Sequence, residues 1–215
     1  MPLGPAPTRH AAPVFTDDAL RERLRTLATA AGLPTPPLEE DVARKPVLMA
    51  QIHGRGPAER IVVSPSLVEA DAAEQTWHLA ACLGWWASPL PRRRRRQGWT
   101  VEAILLIAQA AIGWAYLADA VDLPRGVQFA GVLLLGLLLL ALRAVLSRRE
   151  QRALDRAGHD VMAASGHAPA TLARQAFGGR QDPPWFGRIF AQEPFPSQRI
   201  ADADRWQVRP HSSLH

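Results

Sequence analysis

The 215-residue sequence is nearly free of cysteine, and with Cys82 alone it cannot form an internal disulfide. It also lacks a glycine-rich phosphate loop and a G-x-S-x-G motif, the usual signals of a nucleotide-binding enzyme or a serine hydrolase. The N-terminus has no basic stretch followed by an apolar core, so we expect no cleavable signal peptide. Together these absences exclude a disulfide-stabilised secreted protein.

Two long apolar runs dominate the middle of the chain. Residues 99–119 carry acids only near their edges, Glu102 and Asp119, and residues 126–147 are interrupted only by Arg143. At 1.5 Å per residue each run forms a helix of about 30 Å, the hydrocarbon thickness of a bilayer. Because a chain of this length has too little other structure to bury both helices, we predict a two-span transmembrane hairpin rather than a soluble one.

Arginine is concentrated on the two outer flanks of these runs. Arg148, Arg149 and Arg152 follow the second run, and five consecutive arginines precede the first: Arg92, Arg93, Arg94, Arg95 and Arg96. The positive-inside rule therefore places both termini in the cytoplasm, and we expect the five arginines to meet anionic lipid headgroups. No aromatic side chains interleave with them, so nucleic acid is not expected as a partner. The predicted location is a bacterial cytoplasmic (inner) membrane, multi-pass.

The remaining segments are predicted to form one α+β domain that the hairpin divides. Residues 16–31, 65–87, 148–175 and part of 185–208 have helical patterns, and residues 46–52 and 60–63 read as a β-hairpin. The predicted organisation is a disordered lead-in (1–14), an N-terminal half-domain (15–97), the hairpin (98–147), a C-terminal half-domain (148–208) and a tail (209–215).

Several short motifs occur in a distinctive order over residues 15–205. They are DDALRERL at 17–24, AAGLP at 30–34, AQIHG at 50–54, RIVVSPSLV at 60–68, SRREQRALDR at 147–156, Glu193-Pro194 and Arg199-Ile200. This order resembles that of the HtpX-type membrane zinc metallopeptidases, which include the CAAX prenyl endopeptidases. The resemblance implies a reduced zincin-like cytoplasmic domain with an inserted two-span α-helical hairpin.

The catalytic motif of that family is where the sequence departs from it. In the family H-E-x-x-H, two histidines hold zinc and the glutamate is the general base. The matching residues here are His78, Leu79 and Cys82 at the first ligand, base and second ligand positions. The third ligand position falls on Gln151, because Asp155 and Arg156 match the family's D-R pair.

Two further family positions lie near the C-terminus: Glu193 replaces the family's histidine before proline, and Arg199 matches its R-I arginine. The resemblance therefore implies a pseudoprotease with no catalytic residue and no cofactor expected, acting as a binding or assembly subunit for an unidentified protein partner. The alternative is an active zinc-dependent membrane endopeptidase with an atypical His/Cys site. In that case His78 and Cys82 would hold zinc with Asp155 or His159.

Overall fold

The computed structural model describes residues 18–40, 49–54, 59–88, 103–104, 106–111, 113–114 and 124–208. The predicted lead-in, the five consecutive arginines, residues 120–123 of the linker between the apolar runs and the tail lie outside the described residues. Of the first predicted span, the described residues are helical.

The described elements are mostly helices, with one small sheet. In chain order they are α1 (Asp18–Ala30), β1 (Leu38–Glu40), β2 (Ala50–His53), β3 (Arg60–Val63), α2 (Pro65–Val68), α3 (Ala72–Ala87), α4 (Arg125–Ala164), α5 (Pro169–Phe177), α6 (Trp185–Phe190) and α7 (Pro196–Val208). This is an α+β architecture in which elements from both sides of the apolar segment share one hydrophobic core.

The sheet has the order β1-β3-β2, with β3 in the centre. β2 pairs antiparallel with β3, which confirms the predicted hairpin, and β1 pairs parallel with β3 from the other side. β3 alternates in burial because Ile61 and Val63 face the core while Arg60 and Val62 do not. The sequence analysis missed β1, since three residues after Pro36-Pro37 carry too little pattern to reveal a strand.

α1 confirms the helix predicted at residues 16–31. Leu20, Leu24 and Leu27 recur at helical spacing and are buried, so the helix rests on the core through one face. It ends at Gly32, whose φ of 66° is the left-handed conformation that glycine adopts without a Cβ clash. The amide of Leu33 then donates to the carbonyl of Ala28 and closes the helix end.

The single helix predicted at residues 65–87 was wrong, because the chain forms two helices there. Ser64 caps α2 by accepting a hydrogen bond from the amide of Leu67. Asp71 caps α3 in the same way, its Oδ1 lying 2.8 Å from the amide nitrogen of Glu74. Two N-caps seven residues apart start two helices rather than one.

α4 is a continuous helix of 40 residues that contains the second predicted span. At 1.5 Å per residue it is about 60 Å long, so it runs from an exposed apolar half into the packed domain. Residues Phe129–Ala164 include a window that is long and apolar enough to cross a membrane. The pattern predicted through residue 175 is broken at Gly166, with φ 80°, and resumes as α5.

α3 and α4 cross at very short range at the centre of the domain. A Cβ added to Gly84 would lie 1.9 Å from the carbonyl oxygen of Ala157, and one added to Gly158 would lie 2.6 Å from the Cα of Ala81. The two backbones therefore touch at this crossing, and neither glycine has room for a side chain. This contact places the helices that carry the family's ligand positions directly against each other.

Candidate functional site

A buried ion pair joins three helices beside the α3–α4 crossing. Asp155 of α4 accepts a hydrogen bond from Trp77 Nε1 at 3.0 Å and one from Arg199 Nε, also at 3.0 Å, on its other oxygen. All three side chains are buried. Each oxygen of the Asp155 carboxylate thus accepts a hydrogen bond, and the Arg199 cation compensates the carboxylate's buried charge. The pair therefore fixes α7 and α3 to α4.

A second ion pair, whose acid is buried and whose arginine is about half exposed, lies one turn before His78 on α3. Glu74 is almost fully buried, and its Oε2 accepts a hydrogen bond from Arg180, which follows α5. Its other oxygen, Oε1, lies 3.9 Å from His78 Nε2. This distance exceeds a hydrogen bond, so Glu74 is committed to Arg180 rather than to the histidine.

Glu193, at the family's histidine position, lies near the arginines of these two ion pairs, Arg199 and Arg180. Its Oε2 lies 3.6 Å from Arg199 Nη2. Burial raises the pKa of the Glu193 carboxyl; the Arg199 charge opposes this shift, and the negative charges of Asp155 and Glu74 add to it. Acids and arginines thus alternate through this cluster, which we call the ion-pair network: Glu74, Asp155, Arg180, Glu193 and Arg199.

His78 is buried beside this network, and its surroundings favour the neutral imidazole. Burial lowers its pKa well below the ordinary value, and the positive charges of Arg199 and Arg180 lower it further. Its ring meets Phe177 edge-on, with centroids 6.2 Å apart. Within the described residues, His78 Nε2 has no hydrogen-bond partner. The family's first zinc-ligand position is therefore a buried imidazole whose neutral form is favoured, mainly by burial.

Leu79 and Cys82 are both fully buried on α3. Leu79, at the family's general-base position, is an alkyl side chain packed in the hydrophobic core. Burial raises the pKa of the Cys82 thiol to about 12, and the charge of Asp155 acts in the same direction. Zinc binds the thiolate form of cysteine, and without a metal Cys82 is held as the thiol.

The two remaining α4 positions of the family pattern differ in their surroundings. Gln151 is half-buried one turn before Asp155, and its side chain is a neutral amide. Arg156 is more exposed and lies 3.7 Å from Asp202 Oδ1. Arg152 makes the stronger contact with Asp202, through hydrogen bonds of 2.6 and 2.8 Å. Although burial opposes it, hydrogen bonds from Arg152 and Arg205 hold the pKa of Asp202 at about 2.

His159 is fully buried between two tryptophans rather than next to His78. Its ring centroid lies 5.5 Å from that of Trp77 and 5.6 Å from that of Trp206. Burial lowers the pKa of His159, against the charge of Asp155. Among the residues that the structure describes, no group of three His, Cys, Asp or Glu side chains is arranged to hold a metal.

The donor set at the family positions does not fit zinc. Protein zinc sites take imidazoles, thiolates and carboxylates, usually at least three of them. Here the three positions offer one imidazole, one protonated thiol and one amide, with Arg180 and Arg199 close enough to shift the pKa of His78.

Comparison with known families assigns the chain to a family. The model of peptidase family M48 matches residues 15–207, nearly the whole chain. The chain belongs to peptidase family M48. No curated protein and no solved structure matches it. M48 membership agrees with the resemblance seen in the sequence and makes this a metallopeptidase-like protein.

The sequence analysis did not reveal a groove on the other side of α3. The groove has a volume of about 780 Å³ and lies between α1, the start of α3 and α5. Arg23, Asp71, Thr76, His167 and Gln175 are among its lining residues. Arg23 spans it by donating to Thr76 Oγ1 at 3.3 Å. Both signs of charge and several hydrogen-bonding groups therefore face this open space.

Proposed function

We propose that this M48 protein is a membrane-anchored, catalytically inactive member of its family that works as a binding or assembly subunit. The observation that carries the proposal is the ion-pair network beside His78, in which Arg180 and Arg199 engage the acids that lie there, while the family's base and third-ligand positions carry no acid. The fold is retained while the chemical groups are either replaced or engaged in ion pairs.

The absence of a base supports this inactivity. Peptide hydrolysis on zinc needs a group that takes a proton from the attacking water, and Leu79 has none. Glu74 and Glu193 are acids of the network, but Arg180 and Arg199 engage them. Loss of a general base alone lowers a rate by about 10²–10⁴-fold. Loss of zinc would remove the activation of water as well.

The exposed half of α4 supports a membrane location. Leu133, Leu134, Leu137 and Leu138 are all more than half exposed, which a soluble monomer would not present over so long a surface. Bilayer lipid is the solvent that covers such a helix without further protein. We extend this to a multi-pass protein of the bacterial inner membrane with cytoplasmic termini, on the basis of the flanking arginines.

The open groove supports the binding role. A site with both signs of charge and about 780 Å³ of space can hold part of another polypeptide. A photo-crosslinking amino acid at Gln175, in the groove, should yield a discrete adduct in native membranes. The same reporter at Gln181, exposed and outside the groove, serves as the control. Equal labelling at both positions would count against a partner in the groove.

Inactivity is tested with the purified full-length protein in detergent. We expect no cleavage of casein, with or without a metal chelator, because neither base nor ligand set is present. A cleavage activity that the chelator abolishes would overturn the proposal. It would then indicate that His78 and Cys82 bind zinc and that Glu74 or another acid serves as the base.

A further inference from the structure

α6 exposes an aromatic and aliphatic stripe that contacts no other part of the described domain closely enough to bury it. Trp185 is 76% exposed and Phe186 59%, and Ile189 and Phe190 are exposed as well. At 100° per residue these four positions share one side of the helix, while Gly187 and Arg188 lie on the other. α6 is thus amphipathic, with its apolar side turned outwards.

The opposite side of α6 is attached to α4 at a defined level. Arg148 of α4 donates a hydrogen bond to the carbonyl oxygen of Arg188. The guanidinium groups of both arginines lie over the ring of Phe195, at 5.3 and 5.8 Å from its centroid. Arg188 also donates to the carbonyl of Pro183 at 3.0 Å, which closes the turn that leads into α6. α6 is therefore held in place against Arg148.

Arg148 marks the point where the apolar half of α4 ends. The apolar run extends to Ser147, and Arg148 is the next residue. Ala144, one turn earlier on the same face, is only 2% exposed, although its neighbour Val145 is exposed. On this face the folded domain thus covers α4 as far as the last turn of the apolar run. If α4 crosses a bilayer through its apolar half, the level of Arg148, to which α6 is attached, falls at the bilayer surface.

We propose that α6 is an interfacial helix whose Trp185, Phe186, Ile189 and Phe190 insert into the cytoplasmic leaflet of the bilayer that α4 spans. This inference rests on the proposed membrane location. α6 is attached to α4 at Arg148, where the apolar run of α4 ends, and tryptophan and phenylalanine are the side chains that favour this depth. Arg148 and Arg188 lie at the same level and match anionic headgroups.

The test measures how deeply a probe lies in the bilayer, once on α6 and once at a matched exposed position on α7. Ile189→Cys and Val208→Cys each add a thiol at an exposed apolar site, Val208 being 83% exposed. Val208 ends α7, which runs along α4 away from Arg148, since Asp202 meets Arg152 and Trp206 meets His159. The eleven residues from Arg148 to His159 correspond to about 16 Å along α4.

Each variant, as the full chain, is labelled with an NBD fluorophore and reconstituted into phosphatidylcholine–phosphatidylglycerol vesicles. Wild-type protein is the labelling control, because Cys82 is fully buried. At position 189 we expect a blue-shifted emission, quenching by spin-labelled lipid and protection from aqueous iodide. At position 208 we expect iodide quenching and no quenching by the lipid.

Two results would overturn the interfacial role of α6 while leaving the membrane location intact. Iodide quenching at position 189 equal to that at position 208 would place α6 in water. Protection of position 189 from both quenchers would mean that protein, from this chain or a second copy, covers the stripe. Release of the unlabelled chain from vesicles by alkaline carbonate would instead overturn the membrane location, and the proposed role of α6 with it.

Discussion

Two groups of buried side chains lie beside the α3–α4 crossing and have opposite character. Trp77, Asp155 and Arg199 are linked by hydrogen bonds through both carboxylate oxygens. His78 and Cys82, one helical turn apart on α3, are both neutral and belong to the family's ligand positions. The first group holds helices together, while the second belongs to the positions of a metal site. The contrast indicates that the contacts that hold the helices together are distinct from the family's ligand positions.

Breaking the framework should have the largest effect. Asp155→Asn removes the charge that faces the buried guanidinium of Arg199, and a buried ion left without its partner costs about 3–5 kcal/mol. We expect the free energy of unfolding, measured by urea titration in detergent, to fall by this amount. Asp204→Asn is the matched control, because Asp204 pairs with Arg174 at the exposed surface and its loss costs about 1 kcal/mol or less. Equal losses in both variants would contradict a structural role for Asp155.

The helix crossing should be the next most sensitive feature. Gly158→Ala places a Cβ 2.6 Å from the Cα of Ala81, and backbone atoms cannot turn aside as a side chain does. Overpacking of this kind destabilises by about 1–3 kcal/mol, so thermal unfolding should occur at a lower temperature. Gly179→Ala, where nothing lies within 4 Å of the added Cβ, should leave that temperature nearly unchanged. If the two alanine variants unfold at the same temperature, α3 and α4 do not approach each other as closely as described.

The buried histidines should make the smallest contribution to the free energy of unfolding, and this contribution depends on pH. Burial lowers the pKa of His78 and His159, so the unfolded chain binds more protons below pH 6.5 than the folded one. The free energy of unfolding therefore falls as the pH decreases from about 6.5 towards each histidine's lower folded-state pKa.

His159→Leu sharpens this point because it removes one of the two titrating groups without leaving a polar atom unpaired. We expect its stability at pH 7 to be within about 1 kcal/mol of the wild type. Its loss of stability between pH 7 and pH 5.5 should be smaller than that of the wild type. Both proteins contain Glu193, whose raised pKa acts in the opposite direction, so comparison at equal pH cancels its contribution. A variant with an unchanged pH profile would show that His159 does not titrate on unfolding.

Local features of the fold were predictable where the sequence carries local signals. Two short strand-like runs joined by turn residues predicted β2 and β3, and the leucine spacing predicted α1. The break between α2 and α3 was missed although Asp71 is a good N-cap residue, because the apolar pattern continues through it. α4 continues past the apolar run since no breaker occurs before Gly166.

The site was predictable only through its resemblance to a family. That resemblance singled out His78, Leu79, Cys82 and Gln151, but it could not show what surrounds them. The Glu74–Arg180 pair joins residues 106 positions apart, and no periodicity links such distant side chains. The pairing of Asp202 with Arg152 was missed for the same reason. Long-range ion pairs of this kind depend on the tertiary fold.

Total zinc in the detergent-purified chain tests the central claim most directly. The triple variant Leu79→Glu, Cys82→His and Gln151→Glu, which restores the family's base and ligands, is the reference and should hold about one zinc per chain. The account predicts zinc far below stoichiometric occupancy in the wild type after dialysis against metal-free buffer. About one tightly held zinc per wild-type chain, removed only by a strong chelator, would contradict it.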